Sequence, residues 1–294
     1  MAPSPEGGLE RKRIQCFVGV QTGFPKPNAK HKYDYQSRRN ALRNTWFPDQ
    51  KERGRLEKEH QIVVRFVIGH SLVPEDEARL EAEANRHQDM LRLPITEHYL
   101  GLPRKTITYF RTVLEMYDAE YIFKVDDDVY LKLGTLSLAI PQWRENNSGY
   151  IGCMKNGQIF KTPNLRWFEP QHTLMGNMDR YFTHAWGPAY VVSGRAAADI
   201  ASMREGSLRF FNNEDVTVGA WMLALNVVHD DDRRLCDKSC KETTIAMYDM
   251  PTCSGLCNAT AALPVLHNSP ACRDPADQIT FQRVKPLYTF QAAN

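Results

Sequence analysis

Continuous apolar runs alternate with amphipathic segments along this chain. Residues 14–20 (IQCFVGV) and 62–70 (IVVRFVIGH) are short and almost wholly apolar, as in strands that are buried on both faces of a sheet. Residues 37–46, 74–88 and 104–117 show helical features, with acidic residues at the start of the second segment and an apolar stripe along the third. Strands that alternate with helices predict an α/β layer architecture.

The first predicted helix, residues 37–46 (SRRNALRNTW), carries a cluster of arginines. Ser37 is its expected N-cap, and Arg39, Arg43 and Trp46 share one helical face. Guanidinium groups suit phosphate or acidic partners, so this face is a candidate binding surface. A basic face that is merely solvated explains the same pattern.

A third predicted strand, residues 121–125 (YIFKV), ends on Asp126, Asp127 and Asp128. Three adjacent carboxylates repel one another unless a positive charge lies among them. An exposed acidic turn is one explanation, but a buried central strand usually ends at a ligand site in open α/β sheets. Alternation along the strand turns Asp126 and Asp128 to the same side, where they could bind Mn²⁺ or Mg²⁺ and leave positions for a diphosphate.

A second acidic pair, Glu214 and Asp215, precedes the apolar segment VTVGAWMLAL, which looks like the start of a buried helix. Acidic residues in a first helical turn offset the helix dipole and need no catalytic role. Beside a site for a metal and a diphosphate, however, one of these carboxylates is a candidate general base that activates an acceptor hydroxyl, as in inverting glycosidases.

Seven cysteines are unevenly distributed, and five of them fall between residues 236 and 272. This density indicates disulfides and an oxidising compartment, although a pair of C-x3-C spacings also resembles a zinc site. The odd total leaves at least one free thiol, for which a buried Cys16 or Cys153 is the expected residue.

Composition narrows the class of protein further. The chain has 294 residues and a net charge of only +2, which gives no basic field that would indicate nucleic acid binding. Its longest apolar runs are shorter than the roughly 18 residues that span a bilayer. The N-terminus lacks the apolar core of a signal peptide. We therefore predict no nucleic acid partner and no membrane segment within this sequence.

Several longer motifs occur in the order and spacing of a known family. They are RRNALRNTW, FVIG, EHYLGLPRKT, FKVDDDVYL, YIGCMK, YFTHAWGPAYVVS, NNEDVTVGAWMLALNV and MYDMPTCSGLC. From about residue 14 to residue 272 the chain resembles the β-1,3-galactosyltransferases, most of all their plant and green-lineage branch. The resemblance implies a GT-A fold, a Rossmann-like central mixed sheet flanked by helices with a Cys-rich C-terminal section. It also implies inversion at the anomeric carbon, a UDP-galactose donor, Mn²⁺ (or Mg²⁺) as cofactor, and residence in the Golgi lumen.

The resemblance also implies roles for individual residues. Asp126 and Asp128 correspond to the metal-binding pair, with Asp128 as the direct ligand. Asp215 corresponds to the catalytic base, with Glu214 as the less favoured choice. The candidate donor-binding residues are Arg39, Arg43, Lys105, Lys124, Asp126 and Asp127. The candidate sugar and acceptor residues are Trp167, Trp186 and Tyr190, for which packing in the core is an equally good explanation.

A further metal ligand is expected near the C-terminus. Asp249 is the position that corresponds best and is a hard oxygen ligand, while His229 and His267 are the alternatives. The loop of residues 24–36 is longer than the family pattern suggests and could alter donor access.

We predict a tail of residues 1–13 and one catalytic domain over residues 14–290. Its parts would be a nucleotide-binding half (14–135), an acceptor and catalytic half (136–235) and the Cys-rich section (236–272). The predicted reaction moves galactose from UDP-galactose to a sugar hydroxyl of a glycan or glycoprotein acceptor and forms a β-1,3 linkage. A transferase that uses UDP-N-acetylglucosamine, or a non-catalytic nucleotide-sugar or glycan-binding protein, is the alternative.

Overall fold

A computed structural model describes residues 11–25, 34–97, 101–204 and 206–274. Most of the predicted tail, part of the loop over residues 24–36 and the predicted domain end at residue 290 therefore lie outside the described residues. The domain boundaries stay a prediction.

Seven strands form one twisted central sheet in the order β3–β2–β1–β4–β7–β6–β8. Their bounds are β1 Lys12–Gln21, β2 Ile62–His70, β3 Met90–Thr96, β4 Tyr117–Asp126, β6 Ser148–Lys155, β7 His184–Ser193 and β8 Val228–Asp231. All neighbouring pairs are parallel except those that β7 makes with β4 and β6, so β7 alone runs in the opposite direction. A separate two-stranded antiparallel sheet joins β5 (Tyr130–Leu131) to β9 (Ala246–Met247). The predicted α/β class with a mixed central sheet is confirmed.

Eight α-helices connect these strands in the described part of the chain. Their bounds are α1 Tyr35–Arg43, α2 Gln50–Arg55, α3 Pro74–His87, α4 Leu102–Met116, α5 Leu133–Glu145, α6 Gly194–Ala201, α7 Glu214–Ala224 and α8 Ala259–Asn268. A π-helical turn, Leu56–His60, extends α2, and short 3-10 turns lie at His172–Met175, Arg233–Leu235 and Pro270–Cys272. No helix among the described residues is long and apolar enough to cross a bilayer.

The first helix differs from its prediction at both ends. Asp34, and not Ser37, is the N-cap, because the Asp34 carboxylate accepts hydrogen bonds from the Ser37 backbone N–H at 3.0 Å and from the Ser37 hydroxyl at 2.6 Å. A carboxylate caps a helix as well as a hydroxyl does. The helix ends at Arg43, so Trp46 lies beyond it and packs in the core.

The hydrophobic core lies on both faces of the central sheet. On one face, Cys16, Val18 and Val20 of β1 pack in the cluster that also takes in the apolar side chains of α1, α5 and α8. On the other face, Phe17 packs in the cluster formed with α4, α6 and α7. A strand alternates its side chains between two faces, so covering both of them explains why the strand sequences are continuously apolar.

Three disulfides crosslink the C-terminal section, and they replace the zinc site that the cysteine spacing also allowed. Cys153 pairs with Cys236, Cys240 with Cys272, and Cys253 with Cys257. The predicted odd thiol is Cys16, which is buried in β1, and Cys153 is therefore not free.

Candidate active site

The two predicted acidic groups meet at one end of the central sheet. Strand β4 ends at Asp126 and helix α7 begins at Glu214, so both groups project from element ends. Lys124 connects them, because its ammonium group lies 2.5 Å from Asp126 Oδ1 and 3.8 Å from Glu214 Oε2. This edge is the carboxyl end of the parallel strands, where α/β sheets hold their ligands.

The three consecutive aspartates have different surroundings. The Asp127 side chain is buried, whereas those of Asp126 and Asp128 keep 34% and 17% of their surface accessible. Arg38 NH1 lies 2.7 Å from Asp127 Oδ1 and 3.1 Å from Asp128 Oδ2. Asp127 Oδ2 is buried without a hydrogen-bond partner among the described residues. The aspartates thus expose two carboxylates and hold a third against an arginine.

Crowding makes these carboxylates reluctant to ionise. Burial, and next the charge of Asp126, raises the pKa of Asp128. Burial also raises the pKa of Asp126, although Lys124 opposes the rise. A cation that bound here would relieve the repulsion between the carboxylates. The described residues contain no cluster of three or more His, Cys, Asp or Glu side chains ready to bind a metal. Two carboxylates fit the needs of Mg²⁺ or Mn²⁺, which commonly take their remaining ligands from water and phosphate.

Glu214 and Asp215 are neighbours in the first turn of α7 and differ in their availability. Glu214 is buried and accepts hydrogen bonds from the Thr106 hydroxyl at 2.7 Å and from the Tyr190 hydroxyl. Burial raises the pKa of Glu214. Its Oε1 atom is therefore already engaged by two hydroxyls, while Oε2 lies 3.8 Å from Lys124 Nζ.

Asp215 lies in a more positive environment than Glu214. Its Oδ2 atom is 2.7 Å from Lys155 Nζ and 3.9 Å from His184 Nε2, and its Oδ1 atom accepts a hydrogen bond from the Val216 backbone N–H at 3.0 Å. Burial raises the pKa of Asp215, but Lys155 and His184 outweigh that effect and hold it below the ordinary value. Asp215 is thus ionised at neutral pH and can accept a proton, which favours it over Glu214 as the base.

The predicted arginines lie next to this site but face away from it. Arg39 makes two hydrogen bonds to the Glu83 carboxylate, at 2.8 and 2.7 Å, and Arg43 binds both Glu83 and Asp89. Arg38 is the residue that contacts the aspartates. Arg38 is in the same quoted motif, but a choice between adjacent residues depends on the rotation of the helix, which sequence alone does not fix.

The two lysines predicted to bind the donor lie in different parts of the structure. Lys124 lies among the acidic residues and donates a hydrogen bond to the Gly187 carbonyl at 2.5 Å, which brings the start of β7 to the site. Lys105 is buried in α4, where it binds Glu97 and the Thr22 carbonyl, each at 2.6 Å. The structure therefore brings Lys124, and not Lys105, into contact with Asp126.

The three predicted aromatic residues have unlike positions. Trp167 is 42% exposed and forms part of the surface. Trp186 presents its ring to Lys155 Nζ, 3.9 Å from the ring centroid, so the same lysine touches Trp186 and Asp215. Tyr190 is fully buried and its hydroxyl binds Glu214, so its ring has no face open to a sugar.

The expected third ligand, Asp249, lies on a loop that packs against the aspartates. The Leu256 backbone N–H donates a hydrogen bond to the Asp128 carbonyl at 2.7 Å, and Gly255 leaves no space for a side chain beside the Asp128 carboxylate. Asp249 Oδ2 itself accepts a hydrogen bond from the Cys257 backbone N–H at 2.9 Å. Asp249 therefore orders the loop that covers Asp128.

The two alternative histidines lie elsewhere. His229 of β8 pairs with Tyr150 of β6. Through Val192 of β7, Tyr150 lies at the same height in the sheet as Ile122, in the middle of β4. His229 is therefore near the middle of the sheet and not at its carboxyl end. His267 is exposed on α8 and its Nδ1 atom lies 3.3 Å from the Tyr130 hydroxyl.

The fold and the site together define a class, an α/β protein that gathers candidate cation ligands and a candidate base at the carboxyl end of its sheet. Comparison with known proteins gives the family. The family model described as galactosyltransferase matches residues 37–233, which is more than half of the chain. The chain belongs to this galactosyltransferase family, and the predicted galactosyl transfer is confirmed.

Individual relatives match over almost the whole chain. The chain is 44% identical over 265 residues to the probable beta-1,3-galactosyltransferase 12 of Arabidopsis thaliana, covering 90% of this chain and 68% of that protein. It is 40% identical over 270 residues to the probable beta-1,3-galactosyltransferase 13 of the same plant, covering 90% and 75%. Among solved structures, it is similar to a glycosyltransferase involved in the glycosylation of the major capsid of PBCV-1, at 12% identity and a TM-score of 0.39, over 84% of this chain and 98% of that one.

Proposed function

We propose that the chain transfers galactose from UDP-galactose to a hydroxyl of a glycan or glycoprotein acceptor, with inversion, and forms a β-1,3 linkage. One observation carries the proposal: Lys124 lies beside Asp126 at the end of β4 and beside Glu214, the neighbour of Asp215 in α7, so the two acidic groups share one site. A nucleotide-sugar transferase needs both groups together, one for the departing diphosphate and one for the acceptor hydroxyl.

Asp126 and Asp128 would hold Mn²⁺ or Mg²⁺, as the hard oxygen ligands that these ions prefer. Such a cation, when bound, stabilises the negative charge that develops on a departing diphosphate. Arg38 contacts both Asp127 and Asp128 and holds their carboxylates in place. Lys124 adds a second fixed positive charge beside Asp126.

Asp215 would act as the general base. It accepts the proton of the acceptor hydroxyl while that oxygen forms a bond to the anomeric carbon of the sugar. The bond from this carbon to the diphosphate breaks on the opposite face, and UDP leaves with the bonding electrons. Before the acceptor binds, Lys155 Nζ lies 2.7 Å from Asp215 Oδ2 and keeps this carboxylate ionised. Lys155 must then shift so that Oδ2 can accept the proton. Glu214, which Thr106 and Tyr190 hold in place, would position the start of α7.

Three disulfides support a secretory setting for this reaction, because such bonds persist in oxidising compartments. We include the Golgi lumen in the proposal on this ground and on the ground of the family.

The proposal is tested by UDP release from a panel of UDP-sugars with galactose-type acceptors, in Mn²⁺ and in EDTA. We expect metal-dependent release that favours UDP-galactose. The matched control is Asp128→Asn, which retains the shape of the side chain and removes the charge that would bind the metal. Equal release in EDTA, or release that favours UDP-N-acetylglucosamine, would contradict the proposed cofactor or the proposed donor, respectively.

A further inference from the structure

Two Asn-x-Ser/Thr tripeptides occur in the chain, at residues 146–148 (NNS) and 258–260 (NAT). Such a tripeptide is the acceptor for N-linked glycosylation in the secretory pathway, where a glycan is added to the asparagine side chain. A bulky, hydrated glycan needs an asparagine that faces solvent and whose amide is not used by the fold. The two tripeptides differ in both respects.

Asn258 is exposed, and its side chain contributes little to the fold. It occupies the N-cap position of α8, where an asparagine often accepts a hydrogen bond from the backbone, but its side chain makes no capping bond. Its Oδ1 atom accepts a hydrogen bond from the hydroxyl of Thr260 at 3.2 Å, and Thr260 is exposed as well. The Nδ2 atom, which would carry a glycan, donates no hydrogen bond within the described part of the chain.

The residues on both sides of Asn258 are fixed by the fold. Cys257 forms a disulfide with Cys253, and Ala259 is buried in the hydrophobic core. These neighbours hold the backbone in place, while the asparagine side chain projects outward. A glycan on Asn258 would therefore extend into solvent and leave the packing of the core unchanged.

The other tripeptide is built into the fold. Ser148 begins β6, where it is only 3% exposed, and its hydroxyl donates a hydrogen bond to the Asp230 carboxylate at 2.7 Å. The Asn146 side chain also hydrogen-bonds to Asp230. A glycan on Asn146 would attach a bulky polar group to an amide that binds this buried carboxylate. The fold thus disfavours modification of Asn146.

We propose that Asn258 carries an N-linked glycan and that Asn146 does not. The inference rests on the secretory setting that is part of the proposed function. A separate enzyme of the secretory pathway would join Asn258 Nδ2 to the anomeric carbon of an oligosaccharide that is carried on a lipid diphosphate. The bond from that carbon to the diphosphate oxygen breaks, the lipid diphosphate leaves with the bonding electrons, and the amide loses one proton to solvent.

The test is the mass of the full chain after secretion from eukaryotic cells behind a cleavable secretion signal. We expect the wild type to lose mass on treatment with a peptide N-glycosidase, and Asn258→Gln and Thr260→Ala each to lack this change. Thr260→Ser retains the hydroxyl and should retain the glycan. Mass spectrometry of the peptide that contains Asn258 locates the site, because the glycosidase converts a glycosylated asparagine to aspartate.

Asn146→Gln is the matched control, since it removes the other tripeptide. It is expected to show the same loss of mass on glycosidase treatment as the wild type. If this variant is not secreted, the wild-type peptide that contains Asn146 gives the same information, because we expect that peptide to be unmodified.

Two outcomes would overturn the inference: a secreted wild-type chain without a glycan on Asn258, or a glycan on Asn146. UDP release by the same secreted protein is measured separately, so the two proposals fail independently. A glycosylated chain that released no UDP would contradict the proposed transfer alone. Metal-dependent UDP release by a chain without a glycan on Asn258 would contradict the present inference alone.

Discussion

The arginines of helix α1 belong to two clusters of charged residues that differ in their balance of charge. We call them the anchoring cluster and the active-site cluster. The anchoring cluster consists of Arg39, Arg43, Glu83 and Asp89. The active-site cluster consists of Asp126, Asp127, Asp128, Glu214, Asp215, Arg38, Lys124 and Lys155.

The two clusters differ in charge balance. In the anchoring cluster two guanidinium groups meet two carboxylates, and hydrogen bonds of 2.7 to 3.1 Å join them. In the active-site cluster five carboxylates face three cations, and Asp127 Oδ2 has no partner among the described residues. Balanced buried charges satisfy one another within the fold, whereas an excess of one sign with an unpaired atom marks a candidate ligand site. The comparison therefore supports a structural role for the first cluster and the proposed catalytic role for the second.

The strongest test of the active-site cluster is Asp215→Asn. Removing a general base typically lowers the rate of the chemical step by roughly 10²- to 10⁴-fold, and we expect transfer to fall within that range while UDP affinity is retained. Steady-state UDP release and UDP titration measure the two quantities. Near-normal turnover would show that Asp215 is not the base.

The strongest test of the anchoring cluster is Glu83→Gln. Glu83 binds Arg39 and Arg43 at once, so its neutralisation leaves buried guanidinium groups partly unpaired, at a cost of roughly 3–5 kcal/mol in the free energy of unfolding. Denaturant unfolding measures this loss, and affinity for UDP should be unchanged.

The matched control for Glu83→Gln is Glu52→Gln. The Glu52 carboxylate also binds an arginine through two hydrogen bonds, but Arg55 and Glu52 keep 48% and 43% of their side chains exposed. Exposed pairs of this kind contribute little to stability because water and salt screen their charges, so the free energy of unfolding should change far less than in Glu83→Gln. If Glu83→Gln weakened UDP binding with little loss of stability, Arg39 and Arg43 would contact the donor, as the sequence predicted.

The smallest predicted effect is a pH-dependent change in the thermal midpoint on substitution of Asp128. Burial and the neighbouring Asp126 raise the pKa of Asp128 to about 7, so its charged form is disfavoured in the folded state. Asp128→Asn should then raise the thermal midpoint by a few degrees at pH values above about 7. The gain should disappear as pH falls toward about 4, since Asp128 of the wild type is protonated there in the folded state.

Thermal unfolding in EDTA across this pH range measures the difference between variant and wild type. Asp179→Asn is the control, because the Asp179 side chain is 88% exposed on the surface. If the thermal midpoint of Asp128→Asn exceeded that of the wild type by the same amount at pH 8 and at pH 4, the stabilisation would not come from removing the charge of Asp128.

The sequence predicted the structure best where a run of similar residues has few physical explanations, as in the apolar strands and the three aspartates. Continuous apolar strands predicted a sheet covered on both faces, and β1, β2 and β4 lie where they were expected. The acidic triplet after β4 predicted a ligand site at the carboxyl end of the sheet. Such features depend on local order along the chain, which a sequence displays directly.

Prediction was poorer where two adjacent residues compete for one position. Arg38 and Arg39 are neighbours of the same type, yet Arg38 reaches the aspartates and Arg39 reaches Glu83. The helix begins at Tyr35, two residues before the expected N-cap Ser37. Successive side chains on a helix point about 100° apart, so residue type alone does not show which arginine faces the site.

By itself, then, the sequence determined the α/β class, the family, and the two acidic segments on which the proposed chemistry depends. Only the tertiary structure decided how the charges divide between the anchoring and active-site clusters, which cysteines pair, and that the Ser148 hydroxyl binds Asp230 while Asn258 faces solvent. The reason is physical: hydrophobic periodicity and motifs are properties of consecutive residues, whereas charge balance and hydrogen-bond satisfaction depend on neighbours that are distant along the chain.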